Sequence, residues 1–384
     1  MKILFLDQSG QLGGAELCLA DLAAFYGDRC SVGLLADGTF RTFLEHRGIA
    51  VRVLHDRPIA VRKDSGWLRG ITGGLSLLPT FLKTARLAQK HDLLYANTPK
   101  ALIAGSIAAS LARRPLIYHL HDILSAEHFS PANRAAIVAL ANRFASLVIA
   151  NSRATETAFR EAGGKVDRVA VVYNGFDPGR YEVPDAEITR LRREIAPDGQ
   201  FIVGHFSRLS PWKGQDVLLD ALARCPEETI ALFIGSALFG EDEYVNRLHE
   251  RVSRLGLEKR VKFLGFREDI PRLMAICDLI AHTSTAPEPF GRVIVEGMLA
   301  GRPVVAAAAG GAIELVQHDE TGWLVPPRDP EKLAETISLC YHRPDLAGAI
   351  ARRARVHASR QFDRTAINRQ IDRLLDRVSR TFYP

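Results

Sequence analysis

The sequence predicts an α/β protein built from two doubly wound parallel sheets. Three observations carry that expectation. Short apolar runs recur along the chain and alternate with helical patterns, which is the βα rhythm of a parallel sheet. The rhythm stops in a stretch rich in Pro, Asp and Arg over 178–199 and resumes at Phe201. With 384 residues and 47% hydrophobic content, the chain can bury the cores of two domains of ordinary size.

The first series opens with Lys2 to Asp7, a buried strand. Gly10-Gln11-Leu12-Gly13-Gly14 follows and leads into a helix with Leu17, Ala20, Leu22 and Ala24 on its apolar face. The loop lacks the GxGxxG spacing of the dinucleotide fingerprint, and Gly163-Gly164-Lys165 lacks the upstream glycine and following Ser or Thr of a P-loop. Further strands are expected at Val32–Leu35, Val51–Leu54, Leu93–Ala96, Pro115–Tyr118, Leu147–Ala150 and Val169–Val172, with helices such as Ala101–Leu111 and Pro131–Phe144 between them. Open parallel sheets bind ligands beyond the carboxyl ends of their strands. There lie Asn97-Thr98, His119-Leu120-His121-Asp122 and Asn151-Ser152.

After a polar helix from about Ala186 to Ile195, the second series runs through Phe201–Phe206, Ile230–Ile234, Val261–Leu264, Leu279–His282, Pro303–Ala306 and Trp323–Val325. Its first strand is followed by Ser207-Arg208-Leu209-Ser210-Pro211-Trp212-Lys213-Gly214. Arg grips phosphate bidentately and Lys acts as a point charge, so Arg208 and Lys213 together suit a diphosphate. Asp329-Pro330 is a helix start with its cap. Phe362, Ala366, Ile367, Ile371, Leu374, Leu375 and Val378 are expected to form one apolar face of a final helix.

The stretch with most chemistry is Glu288-Pro289-Phe290-Gly291-Arg292-Val293-Ile294-Val295-Glu296, after which Gly301 and Pro303 end a helix. A helix start attracts phosphate through its unpaired N–H groups and positive dipole end, while carboxylates beside it accept hydrogen bonds from sugar hydroxyls. Both needs belong to a nucleotide-sugar.

These residues resemble the E-x7-E region of glycosyltransferase family 4, retaining enzymes of the GT-B fold. Gly13-Gly14-Ala15-Glu16, Asn174-Gly175-Phe176-Asp177, the Arg208/Lys213 pair and Gly310-Gly311-Ala312-Ile313-Glu314 extend the resemblance along the chain. It implies two Rossmann-like domains facing each other across a cleft. Residues 1–180 would bind the acceptor, 181–199 would link, 200–363 would bind the nucleotide-sugar, and a crossover helix over 364–384 would return to the first domain. It also implies roles. Glu288 would hold a donor-sugar hydroxyl and Glu296 the ribose, while His121 would face the donor sugar. Arg208, Lys213 and the N–H groups of Phe290, Gly291, Arg292 and Val293 would stabilise the leaving diphosphate. Gly13 and Gly14 would approach the donor closely, and Gly265-Phe266-Arg267 would border the base. The expected partners are a nucleotide-sugar donor, UDP- or GDP-linked, and a glycan or lipid-linked acceptor of a cell-surface polysaccharide or glycolipid. No cofactor or metal is expected, and the chain has no Asp-x-Asp. A nucleotide-sugar epimerase, or a catalytically silent sugar-binding scaffold, are the alternatives on the same fold.

Composition bounds the setting. Five scattered cysteines with no CxxC argue against a disulfide framework or zinc site and for a reducing compartment. No signal-peptide pattern precedes the first strand, so a cytoplasmic location is expected. The formal charge of +6 resides in residues 1–183, which hold 22 Lys+Arg against 16 Asp+Glu. Such asymmetry suggests an anionic partner, acidic lipid or a phosphorylated acceptor, rather than nucleic acid, for which there is no recognition motif; a generally Arg-rich composition is the alternative. Residues 57–86 mix cations with Trp67, Leu68, Phe81 and other large apolar residues but are too broken to span a bilayer. They are a candidate contact with an anionic membrane surface on the inner face of the plasma membrane, through Arg62, Lys63 and Arg69, the alternative being a loop and helix packed on the sheet with ordinary surface arginines.

Overall fold

The computed structural model describes residues 1–8, 10–55, 71–237 and 240–383, without the side chains of 71–77. Arg62, Lys63 and Arg69 therefore lie outside the described residues. The chain forms two compact units, residues 1–175 with 364–384 and residues 176–363.

In the first unit the strands are β1 (Ile3–Asp7), β2 (Cys30–Leu34), β3 (Val51–Val53), β4 (Leu93–Ala96), β5 (Leu116–Leu120), β6 (Ala145–Ala150) and β7 (Val169–Val171). The helices are α1 (Gly14–Tyr26), α2 (Thr39–Glu45), α3 (Ile71–Ala88), α4 (Pro99–Ala112), α5 (Pro131–Phe144) and α6 (Arg153–Glu161). All strand pairs are parallel, in the order β3-β2-β1-β4-β5-β6-β7. Alternation along β1 sends Leu4 and Leu6 into a core with Ala88, Ala101, Ala108 and Ile137, and sends Ile3 and Phe5 into another with Leu19, Phe40 and Leu375. Helices thus cover both faces of the sheet. That is why its strands read as unbroken apolar runs rather than as alternating ones.

The second unit continues with α7 (Asp185–Ile195), β8 (Phe201–Phe206), α8 (Gln215–Leu222), β9 (Thr229–Ile234), α9 (Asp242–Arg254), β10 (Val261–Gly265), α10 (Ile270–Ile276) and β11 (Leu279–His282). Then come α11 (Arg292–Leu299), β12 (Val304–Ala307), α12 (Ala312–Leu315), β13 (Trp323–Val325), α13 (Pro330–His342) and α14 (Pro344–Gln361). Its order, β10-β9-β8-β11-β12-β13, repeats the first six positions of the other sheet. Each sheet therefore reverses direction at one place, between β1 and β4 in one and between β8 and β11 in the other. Those switch points are where ligands enter folds of this class.

Residues 181–199, read as linker, count within the second unit. Arg192 fastens α7 there, with its guanidinium bidentate on Asp278 at 2.7 and 3.1 Å and a third bond to Ile276 O at 2.7 Å. The last helix, α15 (Arg364–Phe382), belongs to the first unit and buries Ile367, Ile371 and Leu375. Phe362 is not on its face. The chain leaves α14 at Phe362, whose ring packs 5.9 Å from Phe290 in the second unit, and Ala366 is exposed. The apolar period runs two residues past the true helix start, since α14 ends at Gln361, Phe362 is its cap residue and α15 begins at Arg364. Asp329 caps α13, its Oδ1 accepting from Lys332 N at 2.9 Å. No described helix is long and apolar enough to cross a membrane.

Candidate active site

At the second switch point, two loops meet. The loop after β8 ends in a short turn, Pro211–Lys213, and Gly214 follows with φ +68°, a conformation that side chains resist. A Cβ on Gly214 would lie 2.0 Å from Thr283 O, so glycine is what lets this loop close on the end of β11. Thr283 Oγ1 then donates to Lys213 O at 3.0 Å and Gly214 O at 2.8 Å, and Thr285 N donates to Trp212 O at 2.8 Å. The backbone carrying Lys213 is fixed relative to the backbone carrying Glu288.

Lys213 Nζ consequently reaches both oxygens of Glu288, at 2.7 and 3.0 Å, and lies 3.9 Å from the centre of the Trp212 ring. Ser284 Oγ donates to Glu288 Oε2 at 2.9 Å, and His282 Nε2 lies 3.4 Å from the same oxygen and 3.2 Å from Ser284 Oγ. Burial opposes ionisation of Glu288, but the Lys213 ammonium and the His282 hydrogen bond outweigh it and hold the carboxyl well below the usual range. Glu288 is thus a buried anion with only acceptor capacity, suited to a sugar hydroxyl.

Gly291, with φ +95°, turns the chain into α11. Phe290 is buried between Phe176 and Phe362, so its side chain anchors the turn and only its backbone could meet a ligand. Arg292 and Val293 open α11, and Arg292 Nη2 donates to Glu296 Oε1 at 3.2 Å on the next turn. Gly311 N donates to Glu288 O at 2.7 Å, which ties the loop after β12 to the same place. Arg208 is half-buried at the end of β8, its guanidinium 5.7 Å from the Trp212 ring centre. Arg267 stands apart from this group. It follows β10, the edge strand, and its guanidinium is bidentate on Asp269 at 2.7 and 2.8 Å.

The first switch point gathers a second set of polar groups. Gly13 caps α1, Gly14 is exposed at its first position, and Glu16 is buried within its first turn. Asp7 at the end of β1 accepts from Asn97 Nδ2 at 2.7 Å, and Asn97 Oδ1 lies 2.9 Å from His121 Nε2. Since the Asn97 amide donates to Asp7, its oxygen must accept, which puts the His121 proton on Nε2. His119 is buried instead, with Nδ1 2.7 Å from Tyr95 Oη, and burial keeps it neutral. The two imidazoles lie 3.8 Å apart.

Burial and the neighbouring Asp7 charge push the Glu16 carboxyl up to about 8, against hydrogen bonds from the helix start. The folded state therefore binds a proton that the unfolded state releases at its ordinary pKa of 4.5, and stability should fall as pH rises from there to about 8. Glu16→Gln, which cannot ionise, should flatten that decline. Denaturant midpoints of parent and variant at pH 5 and pH 9 are the check; parallel pH profiles would mean that Glu16 ionises normally in the fold.

Asp7, His282 and Ser284 join these sites although no motif in the sequence marks them. The available signal is position, since Asp7 and His282 are the last residues of β1 and β11, the strands that flank the switch points.

Two family models match the chain: "Glycosyltransferase Family 4" over residues 12–180 and "Glycosyl transferases group 1" over residues 187–357. The crystal structure of Anabaena HepE in complex with UDP-glucose is 55% identical, covers 98% of this chain and 99% of that one, and superposes with a TM-score of 0.91. D-inositol 3-phosphate glycosyltransferase of Jonesia denitrificans is 27% identical over 307 residues, 74% of this chain and 72% of that protein. Mannosylfructose-phosphate synthase of Agrobacterium fabrum is 30% identical over 58% of this chain, a match spanning half of that protein's length.

Proposed function

The chain belongs to glycosyltransferase family 4, and on that premise we propose that it moves a hexosyl group from a UDP-sugar to a hydroxyl of a glycan or lipid-linked acceptor, with retention and without a metal. The observation that carries the reading is the Lys213–Glu288 pair beside the start of α11, at the switch point of the second sheet. UDP-glucose in the 55% identical HepE supports a UDP-linked donor, with UDP-glucose as the first to test.

In this reading Glu288 accepts a hydrogen bond from a donor-sugar hydroxyl and Glu296 from the ribose. Charge that develops on the departing diphosphate meets Arg208, Lys213 and the N–H groups from Phe290 to Val293. Fixed groups aimed at developing charge inside a site of low dielectric commonly contribute more to such catalysis than any other effect. The leaving phosphate takes the acceptor proton on the face from which it departs, so the new bond forms on that face and configuration is retained. His121, which Asn97 and Asp7 hold just beyond β5, keeps in this reading the role that the family resemblance gives it toward the donor sugar.

Because two cations and a helix start supply the positive charge, UDP release from UDP-glucose is expected to proceed unchanged in excess EDTA. Activity abolished by EDTA and restored by manganese would overturn the metal-free reading. The same assay, run with GDP-mannose in place of UDP-glucose, decides the donor. UDP-glucose should also raise the melting temperature, since a ligand that binds only the native state stabilises it.

A further inference from the structure

We propose that the surface formed by α3, α4 and α5 docks the protein on an anionic lipid membrane. The proposal rests on the transferase reading and deepens it by naming the partner on the acceptor side. It stands on the described helices and includes none of residues 56–70.

α4 packs between α3 and α5 on one face of the first sheet. Its inward side, with Ala101, Leu102, Ala104 and Ala108, is fully buried. Its outward side is apolar as well: Ile103, Ile107 and Leu111, one turn apart, are 45, 36 and 57% exposed. A helix that is apolar all round is normally buried all round, and this one is covered on one side only. Leu78 and Leu82 on the adjoining α3 are 50 and 43% exposed and extend the ridge. Singly exposed leucines are ordinary, whereas five large aliphatic side chains on two neighbouring helices form a patch.

Charge selects the occupant. None of the three helices contains Asp or Glu, while they carry Lys83, Arg86, Lys100, Arg134 and Arg143. Lys83 and Arg86 are exposed next to Leu82. A second copy docked here about a two-fold axis would set Lys83 and Arg86 close to their own images, and none of the three helices brings an acid to the contact. An anionic lipid surface answers both features, taking the aliphatic side chains into the headgroup boundary and pairing with the cations around them.

The test is co-sedimentation of the whole chain with phosphatidylcholine vesicles prepared with and without phosphatidylglycerol, at low and high salt. Binding should require phosphatidylglycerol and weaken with salt. Lys83→Ser with Arg86→Ser should reduce it roughly tenfold or more, at about fivefold per cation. Ile103→Ser with Ile107→Ser should reduce it by a similar factor while leaving the circular dichroism and the UDP-glucose melting shift unchanged. Binding indifferent to lipid charge, binding untouched by both pairs of substitutions, or a dimer by light scattering that the Ile variants split would overturn the proposal. Transfer from UDP-glucose without vesicle binding would sink the docking role and keep the transferase. Vesicle binding without transfer would do the reverse.

Discussion

Replacing Glu288 by Gln is expected to lower kcat by about a hundredfold or more, with Arg208→Ala causing a loss of the same order. Gln keeps the shape and one acceptor of Glu288 but loses the negative charge that Lys213 and Ser284 are built around. Its NH2 group would also point a donor at Lys213 or at the sugar hydroxyl. Arg208→Ala leaves that carboxylate intact and removes a cation from the departing diphosphate, so its effect should appear in kcat rather than in donor affinity. Glu296→Ala, by contrast, should act mainly on the donor KM, because a ribose contact is made equally before and during reaction. Steady-state kinetics with UDP-glucose at saturating acceptor separates the three. A Glu288→Gln enzyme nearly as active as the parent would remove this carboxylate from the catalytic assignment.

The second large effect concerns stability as much as rate. Lys213 and Glu288 are only 16 and 12% exposed, so Lys213→Met strands a buried carboxylate. Breaking such a pair by removing one partner typically costs about 3–5 kcal/mol, whereas replacing both partners is often neutral. Lys213→Met should therefore lower the urea midpoint sharply. Adding Glu288→Gln to it should restore most of the stability and none of the activity. Should the double variant remain as unstable as the single one, the pair would not be the source of the loss, and the fixed loop around Gly214 and Thr283 would be.

Much of this architecture was legible in the sequence because parallel sheets buried on both faces write themselves as apolar runs. Phe201–Phe206, Leu279–His282 and Trp323–Val325 have the bounds that the apolar run alone suggests. What the sequence hid is pairing at a distance. That Lys213 and Glu288, 75 positions apart, share two hydrogen bonds follows from β8 and β11 being neighbours, a fact of strand order that no local pattern encodes. The Asp7–Asn97–His121 chain was hidden for the same reason, since β1, β4 and β5 come together only in the sheet. Phe362 misleads for the opposite reason: its apolar spacing fits the final helix, and only the contact with Phe290 shows that it belongs to the other unit.

The return of α15 to the first unit also sets a schedule for biosynthesis. Tyr26 Oη bonds Asp372 at 2.8 Å, Asn368 Nδ2 bonds Asp21 O at 3.5 Å, and Ile367, Ile371 and Leu375 complete the core behind β1. A ribosome adding about 5–20 residues per second needs roughly 10–40 s to travel from the end of the first stretch of this unit to the end of α15. Throughout that interval the domain synthesised first lacks part of its core, while the second unit, whose residues are contiguous, can finish before it. The second unit can therefore fold while the first still exposes the apolar face that α15 later covers.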